Sequence, residues 1–233
     1  MAYAGTNDSF AVKTLWRIAG SDANDDVKRA SLIALGLVMF REPEQFLGIA
    51  LLFVQTYNPF LRCGALLAIG IVYAGTGDED IVTLVKSLFI DTSLIVRQAA
   101  FIACAMVIIQ SNEKTTPSYN DIRSTISNIC TDRHSDTVAK FGAYVAYGIL
   151  DAGGHNQSMT FQTLEGHTRI QSVVGILIFT QFWYWFPLVH LISLCFVPSS
   201  IILVNQNLDM PSITFSCDAD LSLFSCPIAL ETP

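Results

Sequence analysis

The side chains best suited to chemistry in this chain are four histidines, His134, His155, His167 and His190, and six cysteines, Cys63, Cys104, Cys130, Cys195, Cys217 and Cys226. Nucleophilic catalysis needs a nucleophile, a base within hydrogen-bond reach and a third group that orients the base. A zinc site needs Cys or His ligands at short, characteristic spacings. Neither pattern is present. The cysteines include no C-x-x-C pair, the histidines are dispersed, and no paired-carboxylate spacing stands out. Only His155 and His167 flank one short loop where two imidazoles can approach, and ordinary loop or capping roles account for them better than a metal does. Gly75-Thr76-Gly77 invites a phosphate-binding reading, but no Lys-Ser/Thr follows it and no strand precedes it, so a helix-ending turn is the better account. The expectation is no catalytic, cofactor-binding or metal-binding residue. Protein-binding residues are not legible, because scaffold contacts lack the fixed chemistry that marks an active site.

Composition narrows the remaining classes. Hydrophobic residues make up 52% of the 233 and charged residues 14%, well to the apolar side of an ordinary soluble domain. The formal charge of −7 and the lack of any Lys/Arg run argue against nucleic acid as a partner, since phosphate neutralisation needs basic patches. The opening Met1-Ala2-Tyr3-Ala4-Gly5-Thr6 has neither the basic nor the apolar region of a signal peptide. The cysteines therefore read as free buried thiols rather than a disulfide framework. By the same token the sequons at Asn7-Asp8-Ser9 and Asn156-Gln157-Ser158 read as chance matches.

What the chain does have is an internal repeat. Val27-Lys28-Arg29-Ala30-Ser31-Leu32-Ile33-Ala34-Leu35-Gly36 matches Leu61-Arg62-Cys63-Gly64-Ala65-Leu66-Leu67-Ala68-Ile69-Gly70. Further copies begin at Val96-Arg97-Gln98-Ala99 and Ala139-Lys140-Phe141-Gly142. Each unit runs apolar, basic, any residue, small, with a second small residue four positions on and a third two beyond that. Residues four apart share one face of a helix, so Ala30/Ala34, Gly64/Ala68, Ala99/Ala103 and Gly142/Ala146 predict smooth faces against which neighbouring helices pack closely. The basic residue of each unit (Lys28, Arg62, Arg97, Lys140) is expected at the rim, with its stem packed and its charge solvated. Apolar residues at helical spacing over 81–89 predict a second helix in the pair. Each long helix is expected to end in a glycine turn, as at Ala74-Gly75-Thr76-Gly77-Asp78 and Asp151-Ala152-Gly153-Gly154. Asp22, Asn58 and Asp91 are the expected turn or cap residues before the next unit.

After about Gly154 the pattern changes. Residues 170–208 contain no Asp, Glu, Lys or Arg, long enough to span a bilayer. A membrane-anchored helical-repeat adaptor using residues 173–196 as its anchor is thus the competing reading. Against it, Pro187 splits the run into two short segments, Gln181, His190 and Ser193 fall within it, and only Arg169 flanks it. The block Phe182-Trp183-Tyr184-Trp185-Phe186 reads as core. Residues 200–205 and 212–217 read as short strands.

The small-residue face, the Ala-Gly-Thr-Gly turn and the Trp/Phe block before Pro187 together resemble the proteasome/cyclosome repeat family, and within it the branch that carries that block. The resemblance covers nearly the whole chain. It implies a mainly α fold, an α/α superhelix of toroid-forming helical hairpins over residues 1–155, followed by a C-terminal capping domain with β-strands over 156–233. It further implies a non-catalytic scaffold of the proteasome regulatory particle, in cytoplasm and nucleus, without cofactor. Its expected contacts are the ATPase ring and other non-ATPase subunits, with neither nucleic acid nor membrane as a partner. Two departures bear on this: the chain starts inside a repeat, and it stops before the tail that binds a ubiquitin receptor in the family, so that contact is not carried over. Asn7 also stands where Gly77 has its counterpart. A solenoid without its early repeats presents an apolar end face. The isolated chain is therefore expected to be poorly soluble, and light scattering should not find a monodisperse monomer.

Overall fold

A computed structural model of the chain describes residues 1–111, 115–155, 157–163 and 165–198. Its first part is a run of helical hairpins. Helix α1 (Ser9–Ser21) precedes α2 (Asp25–Met39), α3 (Pro43–Val54) precedes α4 (Pro59–Val72), and α5 (Glu79–Ser87) precedes α6 (Leu94–Val107) through a 3-10 turn at Leu88–Ile90. Helix α7 (Tyr119–Thr131) precedes α8 (Thr137–Leu150). The second helices pack against one another in the order α2, α4, α6, α8, while α1, α3, α5 and α7 each pack on the helix that follows them. All four repeat units predicted from sequence lie in the stacked row. The observed architecture is the predicted α/α superhelix.

Helix starts follow from local chemistry. The Asp8 carboxylate accepts from the Phe10 and Ala11 amides, Asn24 from Asp26, Asn58 from Phe60 and Asp78 from Asp80. Each satisfies donors that a helix leaves unpaired. Pro43 and Pro59 occupy first-turn positions, where the missing N–H costs nothing. Of the three expected cap residues, Asn58 caps its helix. Asp22 and Asp91 instead hold the turn just before the cap, each accepting the amide two residues on, from Asn24 at 2.8 Å and Ser93 at 2.7 Å.

Small residues set the spacing of the stack. A methyl group on Gly70 of α4 would stand 2.8 Å from Ala103 Cα of α6, and one on Gly142 of α8 would stand 2.8 Å from Gln98 Cα of α6. Gly36 abuts Ala68, and Gly64 abuts Arg29 and Leu32, in the same way. From Ala99 onward helix α6, enclosed by α4, α8 and α5, is apolar all round, and residues 99–108 are each at most 2% exposed.

Beyond α8 a 3-10 segment, Ala152–His155, leads into β1 (Gln157–Met159), which pairs antiparallel with β2 (Phe196–Pro198) in the register Ser158↔Val197. Between them lie α9 (Ile170–Phe179) and a 3-10 helix, Phe186–Cys195, in close contact where Gly175 meets Leu191 and Leu194. The strands expected at 200–205 and 212–217 lie outside the described residues. Residues 173–196 form the end of α9, a turn and the 3-10 helix. Ten residues of α-helix reach about 15 Å, half of a ~30 Å hydrocarbon core. No helix among the described residues is long and apolar enough to cross a membrane, so the anchor reading has no support.

The stacking geometry fixes opposite outcomes for two glycines at equivalent repeat positions. Gly70→Ala is expected to destabilise by about 1–3 kcal/mol through overpacking against the α6 backbone, despite its better helix propensity. Gly148→Ala, whose new methyl meets no atom within 4 Å, is expected to stabilise by up to about 1 kcal/mol. Urea unfolding midpoints of the two variants at low protein concentration check this.

Candidate functional site

The turn that suggested phosphate binding has another use. Tyr3-Ala4-Gly5-Thr6-Asn7 and Tyr73-Ala74-Gly75-Thr76-Gly77 fold alike: Gly5, Asn7, Gly75 and Gly77 all have positive φ, between 50° and 70°. The Gly5 and Asn7 amides donate to the Leu37 and Val38 carbonyls at the end of α2, at 2.9 and 3.1 Å. The Gly75 and Gly77 amides donate to Met106 and Val107 at the end of α6, at 2.9 and 3.0 Å. Thr6 and Thr76 close the turn by donating to the Tyr3 and Tyr73 carbonyls, both at 2.9 Å. The turn is a bracket that satisfies the last carbonyls of the next stacked helix. Its amides are spent on protein, which removes the phosphate reading.

Not every long helix ends this way, contrary to the expectation from sequence. After α2 the equivalent residues are Phe40-Arg41-Glu42-Pro43, with Arg41 in place of Gly75 and Pro43, which has no N–H, in place of Gly77. Here the chain that returns from α8 attaches. Arg41 Nη2 donates to the Gly166 carbonyl at 2.7 Å and the Thr168 hydroxyl at 3.1 Å, while the Phe40 and Phe161 rings pack 5.7 Å apart. After α6 no glycine is needed, because Gln110 itself takes a φ of 63°.

The basic residue of each unit also behaves differently from expectation. Arg62 of α4 is not solvated. Its guanidinium pairs with Asp91, on the loop before α6, at 2.9 Å, with the two side chains only 13% and 11% exposed, and also donates to the Thr56 and Tyr57 carbonyls. Arg97 of α6 reaches Asp136, before α8, at 3.5 Å. Lys28 pairs within its own first turn with Asp25, whose carboxylate also accepts from Asn58, the α4 cap, at 2.7 Å. The Asn58 and Lys28 hydrogen bonds hold the Asp25 carboxyl below the usual range. One flank pair crosses the outer row as well, Lys86 of α5 to Asp121 of α7.

The structure does not assemble the histidines and cysteines into a site. His134, His167 and His190 are exposed, His167 lies 3.9 Å from Glu165, and the His155 side chain lies outside the described residues. Cys63, Cys104 and Cys195 are buried free thiols, and burial pushes each up to about 12. Cys217 and Cys226 lie outside the described residues. Among the described residues no three His, Cys, Asp or Glu side chains form a metal-holding group.

Sequence reasoning missed an exposed aromatic rim. The block expected as core divides: Phe182 is buried and Trp183 half-buried, but Tyr184, Trp185 and Phe186 are 72%, 63% and 59% exposed. Phe182 and Phe186 flank Phe141 of α8, at ring distances of 5.7 and 5.0 Å. Trp183 and Tyr184 line a cleft of about 230 Å³ with Arg29, Phe60 and Ile95, from the first turns of α2, α4 and α6. Five aromatics in a row carry no period that separates the anchoring face from the exposed one.

The proteasome/cyclosome repeat model matches residues 64–98, one full step of the stack from Gly64 through the glycine bracket to Gln98. The chain is 43% identical over 232 residues to the 26S proteasome non-ATPase regulatory subunit 1 of Drosophila melanogaster, covering 99% of this chain and 23% of that protein. It is 41% identical over 233 residues to the 26S proteasome regulatory subunit RPN2 of Saccharomyces cerevisiae, covering 99% of this chain and 25% of that protein. The chain spans about a quarter of the length of the curated relatives it matches. The matched residues hold a small-residue face and the glycine turn, the parts that here join one step to the next.

Two measurements test how the step is held. Asp91→Ala strands the Arg62 charge and is expected to cost about 3 kcal/mol, whereas Lys86→Ala, which breaks a surface pair, should cost under about 1 kcal/mol; urea unfolding of both variants compares them. Alkylation of the native chain at pH 8, mapped by peptide mass spectrometry, should leave Cys63, Cys104 and Cys195 unmodified, because raised thiol pKa values leave almost no thiolate there.

Proposed function

We propose that this chain is a non-catalytic scaffold element of the proteasome regulatory particle, supporting degradation of ubiquitinated proteins through protein–protein contacts. The observation that carries the reading is identity of 38–43% to named proteasome regulatory subunits, extending over at least 97% of the chain. The likeness therefore takes in both the stacked repeats and the Trp/Phe block. Its partners on this reading are the ATPase ring and other non-ATPase subunits, in cytoplasm and nucleus, without nucleic acid, membrane or cofactor. Residues 1–155 serve as the repeat module and 156–233 as its C-terminal domain.

The physical features agree with a scaffold. Three thiols, Cys63, Cys104 and Cys195, lie in the core, and the turn amides are spent on helix carbonyls. What faces outward is an aromatic rim, the kind of surface that supplies interface anchors. The test is sedimentation of the tagged product of the gene on a glycerol gradient with ATP. Co-migration with 26S particles is expected, and migration only as free protein would discard the proposal. Trp185→Ala with Tyr184→Ala should weaken co-migration while leaving thermal unfolding unchanged.

A further inference from the structure

We infer that the C-terminal end of α4 binds a monovalent alkali cation, in the cleft between that helix end and the segment returning from α8. The equivalent ends of α2 and α6 show what this one lacks. The Leu37 and Val38 carbonyls of α2 accept from Gly5 and Asn7, and the Met106 and Val107 carbonyls of α6 accept from Gly75 and Gly77. At the same repeat offsets the α4 carbonyls are those of Ile71 and Val72. The turn in position to serve them is Phe40-Arg41-Glu42-Pro43, where Pro43 has no N–H and Arg41 does not take the left-handed backbone. The amides four positions further along α4 give no help, because Gly75 donates to Met106 and Thr76 to Tyr73. No donor among the described residues reaches either carbonyl, although Ile71 is 1% and Val72 8% exposed. Buried carbonyls are seldom left in that condition.

Local charge selects a cation. Ile71 and Val72 sit at the negative end of the α4 dipole, and with Thr160 and Gln162 they line a predominantly polar cleft of about 230 Å³. Beside them the Tyr73 hydroxyl is held above its ordinary range, by burial first and then by the Asp78 and Glu44 carboxylates, so the potential at this helix end is negative. No Lys, Arg or His side chain lines the cleft among the described residues. The Arg41 guanidinium, the basic group on the neighbouring turn, is spent on the Gly166 carbonyl and the Thr168 hydroxyl. At many helix ends a Lys or Arg side chain meets the last carbonyls; here a free cation takes that place. A lining without carboxylates suits a singly charged ion, since divalent ions draw on Asp and Glu. Main-chain carbonyls replace the hydration shell of potassium or sodium well. Such a site is built from backbone oxygens, which no side-chain motif announces.

The experiment follows thermal unfolding of the 233-residue chain at low protein concentration, with potassium or sodium chloride replacing choline chloride at constant ionic strength. Raising either alkali ion from about 5 to about 200 mM should lift the midpoint by about 3 °C or more, because the ion binds only the folded chain. The salt with the larger shift identifies the preferred ion. Gln162→Lys puts a tethered ammonium on the cleft wall and should abolish the dependence, whereas Gln162→Met, of similar length and uncharged, should keep it. Equal midpoints in choline and in both alkali salts overturn the inference and leave the carbonyls to water. A Gln162→Lys chain with the full wild-type dependence overturns it as well, since the ion would then bind elsewhere. Neither readout involves the regulatory particle, so the outcome is separate from that of the scaffold reading.

Discussion

Close approach of helix backbones is the constraint on which the rest of this molecule depends. At Gly36, Gly64, Gly70 and Gly142 the neighbouring helix lies where a side chain would otherwise begin. Each glycine costs a helix roughly 1 kcal/mol against alanine. The return is burial of apolar surface on both helices along their whole length, at roughly 25 cal/mol per Å². That trade explains why α6 is apolar on every side from Ala99 onward and why the flank helices pack mainly on their own partners. It also explains the largely enclosed pair of Arg62 and Asp91. With α4 and α6 drawn together, Arg62 is largely shut off from solvent, and Asp91 on the following loop is the carboxylate that meets its charge.

Tight stacking creates a problem at the helix ends, where the last carbonyls lose access to water and have no partner within the helix. The Tyr-Ala-Gly-Thr turn answers it from the neighbouring step. Gly75 and Gly77 need a left-handed backbone to aim their amides at Met106 and Val107, and Asn7, a residue type that tolerates such a φ better than most, does the same work for Val38. Because each bracket belongs to one step and serves the next, neighbouring steps are coupled as nearest neighbours in a row. The second step, with Pro43 in place of a donor, is where this coupling lapses, and Arg41 and Phe40 there tie in the segment returning from α8.

The repeat, its helices and its stacking faces were legible because they rest on residues within one helix: spacing by four, a cap at Asn58, prolines in first turns. The burial of Arg62 was not, because its partner is brought near only by stacking α4 on α6, 29 positions apart in sequence. The same holds for the bracket, whose acceptors lie about thirty residues downstream of its donors. Strands β1 and β2, three residues each and joined across the whole of α9, carry no periodicity to read. The charge-free run after residue 170 was the most misleading feature. Hydropathy registers the demand for burial and is silent about the medium that meets it, here α9, a 3-10 helix and the first turns of the stack.

That silence bears on where function is to be sought. In an enzyme the reactive groups stand in a cleft, and their pKa values are tuned toward the working pH. Here the most perturbed groups are Cys63, Cys104 and Cys195, driven by burial away from reactivity rather than toward it. The strong hydrogen-bond donors left over from helix formation, amides in a left-handed turn, would make an anion site if they faced solvent, yet they face carbonyls. The structure thus uses its chemistry to hold its own steps together. On the scaffold function proposed above, selectivity toward other molecules falls instead to shape and to the large exposed side chains, Tyr184, Trp185 and Phe186, whose placement is set by Phe182 and Phe186 seated on Phe141 of α8. An aromatic rim fixed to a rigid stack loses little side-chain freedom on binding, and that is the advantage a repeat scaffold has over a flexible segment of the same composition.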